Sequence, residues 1–167
     1  MSRQAKKPRF IKPPNRLKAK VGLGGIDERL LDKAQTYIKT VEINFKPTAK
    51  QLLDDAIANF KKIASAKTQN DKNNAQNNLA NSIMQIKANA GMFGYQLMGE
   101  IAASALHFIE NCANVNQDAL NVIDVHIKSM QLILANNLKG DGGQEGYALV
   151  KELEKACSRY YKKYPED

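Results

Sequence analysis

Tryptophan is missing from these 167 residues, and cysteine and proline occur only twice and five times. Three of the prolines, Pro8, Pro13 and Pro14, crowd into the first fourteen residues, so most of the chain is free of helix breakers. Strong β-formers are few, and Ala, Leu, Ile, Asn, Gln and Lys dominate, which predicts an all-α chain. Eighteen apolar residues nowhere run together, which argues against a transmembrane helix. The basic N-terminus has no apolar stretch of the kind a secretory signal needs, so the expected address is cytoplasmic. Cys112 and Cys157 lie far apart, and neither has a second Cys or His at ligand spacing beside it. Both are read as reduced core residues, and no metal or cofactor is expected.

Acid is also missing, but only locally. Residues 1–20 carry Arg3, Lys6, Lys7, Arg9, Lys12, Arg16, Lys18 and Lys20 with no Asp or Glu, while the remainder balances its 17 acids with as many bases. The net charge of +8 is therefore the charge of one segment. With its prolines, and with Gly22, Gly24 and Gly25 behind them, this segment can neither bury a core nor propagate a helix, and residues 1–25 are read as a flexible basic arm. Its charge suits nucleic acid, an anionic membrane or an acidic protein, or serves solubility alone. No aromatic or base-reading motif accompanies it, which argues against sequence-specific nucleic-acid recognition.

From residue 26 onward, apolar residues recur at three-to-four spacing in six stretches. The first runs from near Asp27 to about Phe45 with Leu30, Leu31, Ala34, Tyr37, Ile38 and Val41 on its stripe. Pro47 opens the second, with Leu53, Ile57, Phe60 and Ala64 inward. An Asn- and Gln-rich start, capped by Asn70 or Asp71, leads into a third striped by Leu79, Ile83, Ile86 and Ala90. Gly91 and Gly94 mark a turn before a fourth with Met98, Ile101, Ala105, Phe108 and Cys112 inward. The fifth carries Leu120, Ile123, Ile127, Met130, Leu134 and Leu138 and is expected to end at Lys139-Gly140. The sixth, about 144–163, packs Leu149, Leu153, Ala156 and Tyr160. Short connections predict antiparallel neighbours, hence an up-and-down antiparallel four-helix bundle with accessory N- and C-terminal helices over residues 26–167.

Residues 84–94 read Met-Gln-Ile-Lys-Ala-Asn-Ala-Gly-Met-Phe-Gly. This segment resembles the histidine phosphotransfer (Hpt) domain of two-component phosphorelays, whose signature has the form H-x-L-K-G-x-A-x-x-F-G. Ile86, Lys87, Ala90, Phe93 and Gly94 fall in register. Met84 stands where the family has its phosphoaccepting histidine, and Ala88 where it has glycine. The resemblance is good over about residues 75–112 and rests elsewhere on the helical pattern. It implies a docking flank of Met84, Lys87, Ala88 and Gly91 for the receiver domain of a response regulator, with the nucleophile removed, since a thioether has no nucleophilic nitrogen and no titratable proton. Helix spacing independently puts Met84, Lys87 and Ala88 on one side when Leu79, Ile83, Ile86 and Ala90 face inward.

Other candidate chemistry is sparse. His107, between Leu106 and Phe108, reads as a structural histidine with its polar edge hydrogen-bonded. His126 is the alternative phosphoacceptor, a role that requires an exposed imidazole. Lys139 to Gly146 lacks the strand and the Gly-Lys-Ser or Gly-Lys-Thr of a phosphate loop and reads as a tight helix-to-helix turn. The pair Asp54-Asp55 reads as a solvated face. The expected function is a signalling protein that docks to a receiver domain without accepting phosphate, and not an enzyme. The alternatives are an active relay through His126, or a helical adaptor tethered to nucleic acid or membrane by its arm.

Overall fold

The computed structural model describes residues 27–40, 44–112 and 114–165, with the side chains of 37–40 left aside. The basic-arm residues Arg3, Lys6, Lys7, Arg9, Lys12, Arg16, Lys18 and Lys20 lie outside the described residues, as does Val41 of the first stripe. Every regular element described is helical: α1 (Glu28–Thr40), α2 (Lys46–Ser65), α3 (Gln69–Ala90), a 3-10 turn (Gly91–Phe93), α4 (Gln96–Glu110), α5 (Gln117–Ala135) and α6 (Gly143–Lys163). No helix among the described residues is long and apolar enough to cross a membrane.

The chain divides between residues 43 and 44 into two units. The sequence reading counted α1 with the helices that follow, but it belongs to the first unit. The Asp27 carboxylate caps α1 by accepting from the Arg29 backbone amide (3.0 Å). Leu30 and Leu31, expected to face inward, are exposed at 62% and 41%.

In the second unit α2 packs on α3, α3 on α4, α4 on α5, and α5 returns to α2, while α6 lies against α4 and α5. Several helix ends have a local reason. Pro47 sits in the first turn of α2, where its missing N–H costs nothing. Thr68 caps α3: its Oγ1 accepts from the Asp71 amide (3.1 Å) and donates to the Asp71 carboxylate (2.7 Å). Asp71 thus completes the cap rather than being the cap residue itself. Asn116 caps α5 by accepting from the Ala119 amide.

The buried stripes follow the sequence pattern closely. Leu79, Ile83, Ile86 and Ala90 of α3 are fully buried, and each large apolar side chain taken out of water contributes about 1.5–3 kcal/mol. α4 buries Leu97, Met98, Ile101, Ala102, Ala105, Leu106, Phe108 and Ile109, more than one stripe, because it packs against three neighbours. Cys112 and Cys157 are buried and unbridged. Three inward assignments in this unit fail. Ala64 is exposed, with Ile63 taking the inward place, and Leu138 and Leu149 also face solvent.

Leu138 fails because α5 stops earlier than expected. Asn137 adopts a left-handed conformation (φ 52°), the Asn137 amide donates to the Leu134 carbonyl (3.2 Å), and the Leu138 amide reaches back to Ile133 (3.0 Å). These are the two bonds of a Schellman stop, here built on asparagine rather than on Gly140.

Candidate functional site

Capped at Thr68 and buried along one stripe, α3 is fixed in rotation and presents the opposite flank to water. Met84 is 48% exposed, and Lys87, Ala88 and Gly91 are exposed beside it. The helical backbone continues through Gly91 (φ −61°, ψ −39°) into the 3-10 turn that carries Met92. Met92 is 80% exposed. It sits in the turn that Gly91 and Gly94 mark in the sequence. Met84, Lys87, Ala88 and Gly91 are all exposed near the end of α3, and Met92 is exposed in the turn that follows.

Gly91 is not required by the chain itself. Its φ is an ordinary helical one, and a Cβ built there would meet nothing within 4 Å. The bare backbone leaves room for a close approach from outside. Lys87 is the one charged residue between Lys72 and Glu100, so the strip is apolar and amide-rich with a single positive charge. It carries no carboxylate, imidazole or thiol.

Phe93 and Gly94, at the end of the same segment, do structural work instead. Gly94 (φ 79°) ends the turn with its amide on the Gly91 carbonyl and the Tyr95 amide on Ala90 (2.9 Å), a second Schellman stop. The Phe93 ring stacks on Phe45, with centroids 4.8 Å apart and an interplanar angle of 7°. The connection between α5 and α6 then ties the turn down. Lys139 Nζ donates to the Phe93 carbonyl (2.6 Å) and lies 3.5 Å over the Tyr95 ring. The Gly140 amide donates to the Gly94 carbonyl (2.7 Å), the Leu97 amide to Gly140 (3.0 Å), and the Tyr95 hydroxyl to Asn137 Oδ1 (2.7 Å). The two helix stops brace each other, which sets the height at which Met92 stands.

The same connection leaves no phosphate cradle. Asp141 Oδ1 already accepts from the Gly143 amide (3.0 Å), and a Cβ on Gly146 would collide with the Asp141 carbonyl. Residues 139–142 belong to the connection between the helices, and Gly143 to Gly146 form the first turn of α6. Asp54 and Asp55 are exposed, Asp54 paired with Lys50 at 2.6 Å.

His126 is fully buried on α5. Nδ1 lies 2.7 Å from the Val122 carbonyl, which can only accept, so the proton sits on Nδ1. Nε2 is then an acceptor, 3.1 Å from Ser104 Oγ and 4.0 Å from Cys157 Sγ. Burial lowers the His126 pKa, only partly opposed by the Val122 bond, and the same desolvation raises that of the Cys157 thiol. Both groups are held neutral. A phosphoacceptor must offer a nitrogen to an incoming aspartyl phosphate, and neither nitrogen of His126 reaches the surface. The alternative relay through His126 lacks the exposed imidazole it requires.

His107, expected in a hydrogen-bonded structural setting, is exposed instead, on the rim of an open groove of about 560 Å³ between α4 and α6 that Glu100, Ser104, Glu154 and Cys157 also line. Among the described residues no group of three or more His, Cys, Asp or Glu side chains is placed to hold a metal ion. Sequence reasoning also missed Gln76, whose amide donates to the Ile109 and Cys112 carbonyls (2.9 and 3.3 Å) and closes the C-terminus of α4.

No protein-family model matches this chain, and neither the curated proteins nor the solved structures contain a match.

Proposed function

We propose that this chain is a docking module of the histidine-phosphotransfer type that engages the receiver domain of a response regulator, or a related signalling protein, without accepting phosphate. The observation that carries the reading is the solvent-facing strip of Met84, Lys87, Ala88, Gly91 and Met92. It joins two flexible apolar side chains, a bare backbone and one cation, and it has no group able to take up phosphate. Methionine edges adapt to a partner's apolar surface, and small residues between them let a loop approach the helix.

On this reading the closed circuit of α2, α3, α4 and α5 is an up-and-down antiparallel four-helix bundle, with α6 as an accessory helix, working in the cytoplasm. Lys87 would face the acidic pocket of a receiver and set orientation more than affinity. Nothing in the mode of action calls for a cofactor.

The test is a titration of the purified chain with each receiver domain of its own genome, phosphorylated and not. At least one receiver binds at micromolar concentration, and Lys87→Glu weakens it by about tenfold or more, equivalent to about 1.4 kcal/mol, with an unchanged helical spectrum. If no receiver binds, the reading is abandoned.

A further inference from the structure

We propose that two copies of this chain pair through the outward face of α3. The inference does not rest on the receiver reading, although the face includes Met84 and Ala88 of that strip, so the two occupants would exclude one another.

Asn70, Asn74, Asn77, Asn81, Met84 and Ala88 follow one another in steps of four and three, the repeat by which one helix meets another along a seam. All six are exposed, and at helical pitch they run opposite the buried Leu79, Ile83, Ile86 and Ala90. The seam holds no charge. Helices α2 and α6 instead cover their outer faces with exposed charge, Lys50, Asp54 and Asp55 on one and Lys151, Glu152 and Lys155 on the other.

The seam amides also differ from others in the way they are engaged. Asn59, Asn89, Asn111 and Asn136 each donate a side-chain N–H to the carbonyl four residues earlier. The side chains of Asn70, Asn74, Asn77 and Asn81 bond to no other described residue. They stand ready for a surface outside the molecule.

An amide both donates and accepts, so the surface that satisfies an amide seam is another amide seam. An apolar partner would strip these groups of water and leave them unbonded, at about 1–3 kcal/mol each. A charged partner would bury its charge without a counter-ion. The chain itself supplies the match, because two-fold pairing brings the same neutral seam from both sides and opposes no like charges. The 22 residues of α3 give a seam about 33 Å long and one helix wide. Such a contact lies at or below the roughly 1,200 Å² where stable complexes begin, which makes the pairing weak and concentration-dependent.

The experiment is sedimentation equilibrium of the full chain from about 5 to about 500 μM, a range that brackets weak association. The average mass is expected to rise from the 18.6 kDa of one chain toward twice that value. Asn77→Asp combined with Asn81→Asp sets like charges against each other across the seam and weakens the pairing about tenfold or more, with an unchanged helical spectrum. Gln117→Glu combined with Asn121→Asp makes the same charge change on exposed residues of α5 and leaves the pairing as it was. Cross-linking gives a second readout: Asn77→Cys joins two copies through a short bis-maleimide and Asn121→Cys does not, while Cys112 and Cys157 are buried away from the reagent. A chain that stays monomeric to the top of the range, a dimer that the seam aspartates leave intact, or equal cross-linking from both cysteine positions overturns the proposal.

Discussion

Met84 on α3 and His126 on α5 invert the arrangement a phosphate carrier needs. The accessible flank, braced from beneath by two interlocked helix stops, carries a thioether that can neither attack nor titrate. The competent nucleophile sits at full burial, with Nδ1 spent on Val122 and Nε2 facing Ser104 and Cys157. The difference is one of exposure: the α3 flank is accessible and lacks a nucleophile, while the imidazole on α5 has one and is packed away.

Removing the buried imidazole has the largest expected effect. His126→Ala leaves a cavity and strips Ser104 of its acceptor, and should cost about 3 kcal/mol in chemical denaturation. A cost under about 0.5 kcal/mol, the level of an ordinary surface change, would mean that His126 is not packed as described.

Acid probes the same residue next. Burial holds the folded pKa of His126 below its ordinary value of 6.5, so below that pH the unfolded chain binds more protons than the folded one. Stability from this group is therefore fully present above pH 6.5 and is lost as pH falls toward the folded pKa, at up to about 1.4 kcal/mol per pH unit. His126→Gln should flatten that part of the profile. An unchanged slope in the variant would assign the acid sensitivity elsewhere.

Tyr95→Phe takes a smaller bite, about 1 kcal/mol, because it deletes the single bond from the Tyr95 hydroxyl to Asn137 while keeping the ring under Lys139. Faster hydrogen exchange at the Gly94 and Gly140 amides would report the loosened brace. The smallest effect belongs to the exposed flank: Met84→Gln and Met92→Gln should each shift stability by less than about 0.5 kcal/mol, since neither side chain is packed. A larger loss at either would identify it as a core residue and remove it from the contact strip.

Much of this was legible in the sequence. The all-helical class, Pro47 at the start of α2, and the stripes of α3, α4 and most of α5 follow from a 3.6-residue period that local composition cannot hide. The exposure of Met84, Lys87 and Ala88 followed once Leu79, Ile83, Ile86 and Ala90 were placed inward. What sequence reading missed depends on distant partners or on rarer local solutions. The end of α5 is set by Asn137 in a left-handed conformation, whose side chain is held by Tyr95 from the start of α4; a rule that favours glycine points instead to Gly140. The burial of His126 depends on Ser104 and Cys157, brought alongside from α4 and α6, and no spacing within α5 announces them. Leu149 follows the helical period yet lies at the edge of the α6 contact, and Leu30 and Leu31 belong to a helix outside the second unit.

The proposed function is contact without phosphate transfer through the α3 flank. Its most direct test is to incubate the chain with phosphorylated receiver domains from its own genome and measure, in one sample, complex formation and acid-labile phosphate on the chain. The expected result is a complex that Lys87→Glu weakens and no label on any histidine; label on the chain that disappears in His126→Gln would contradict the proposal.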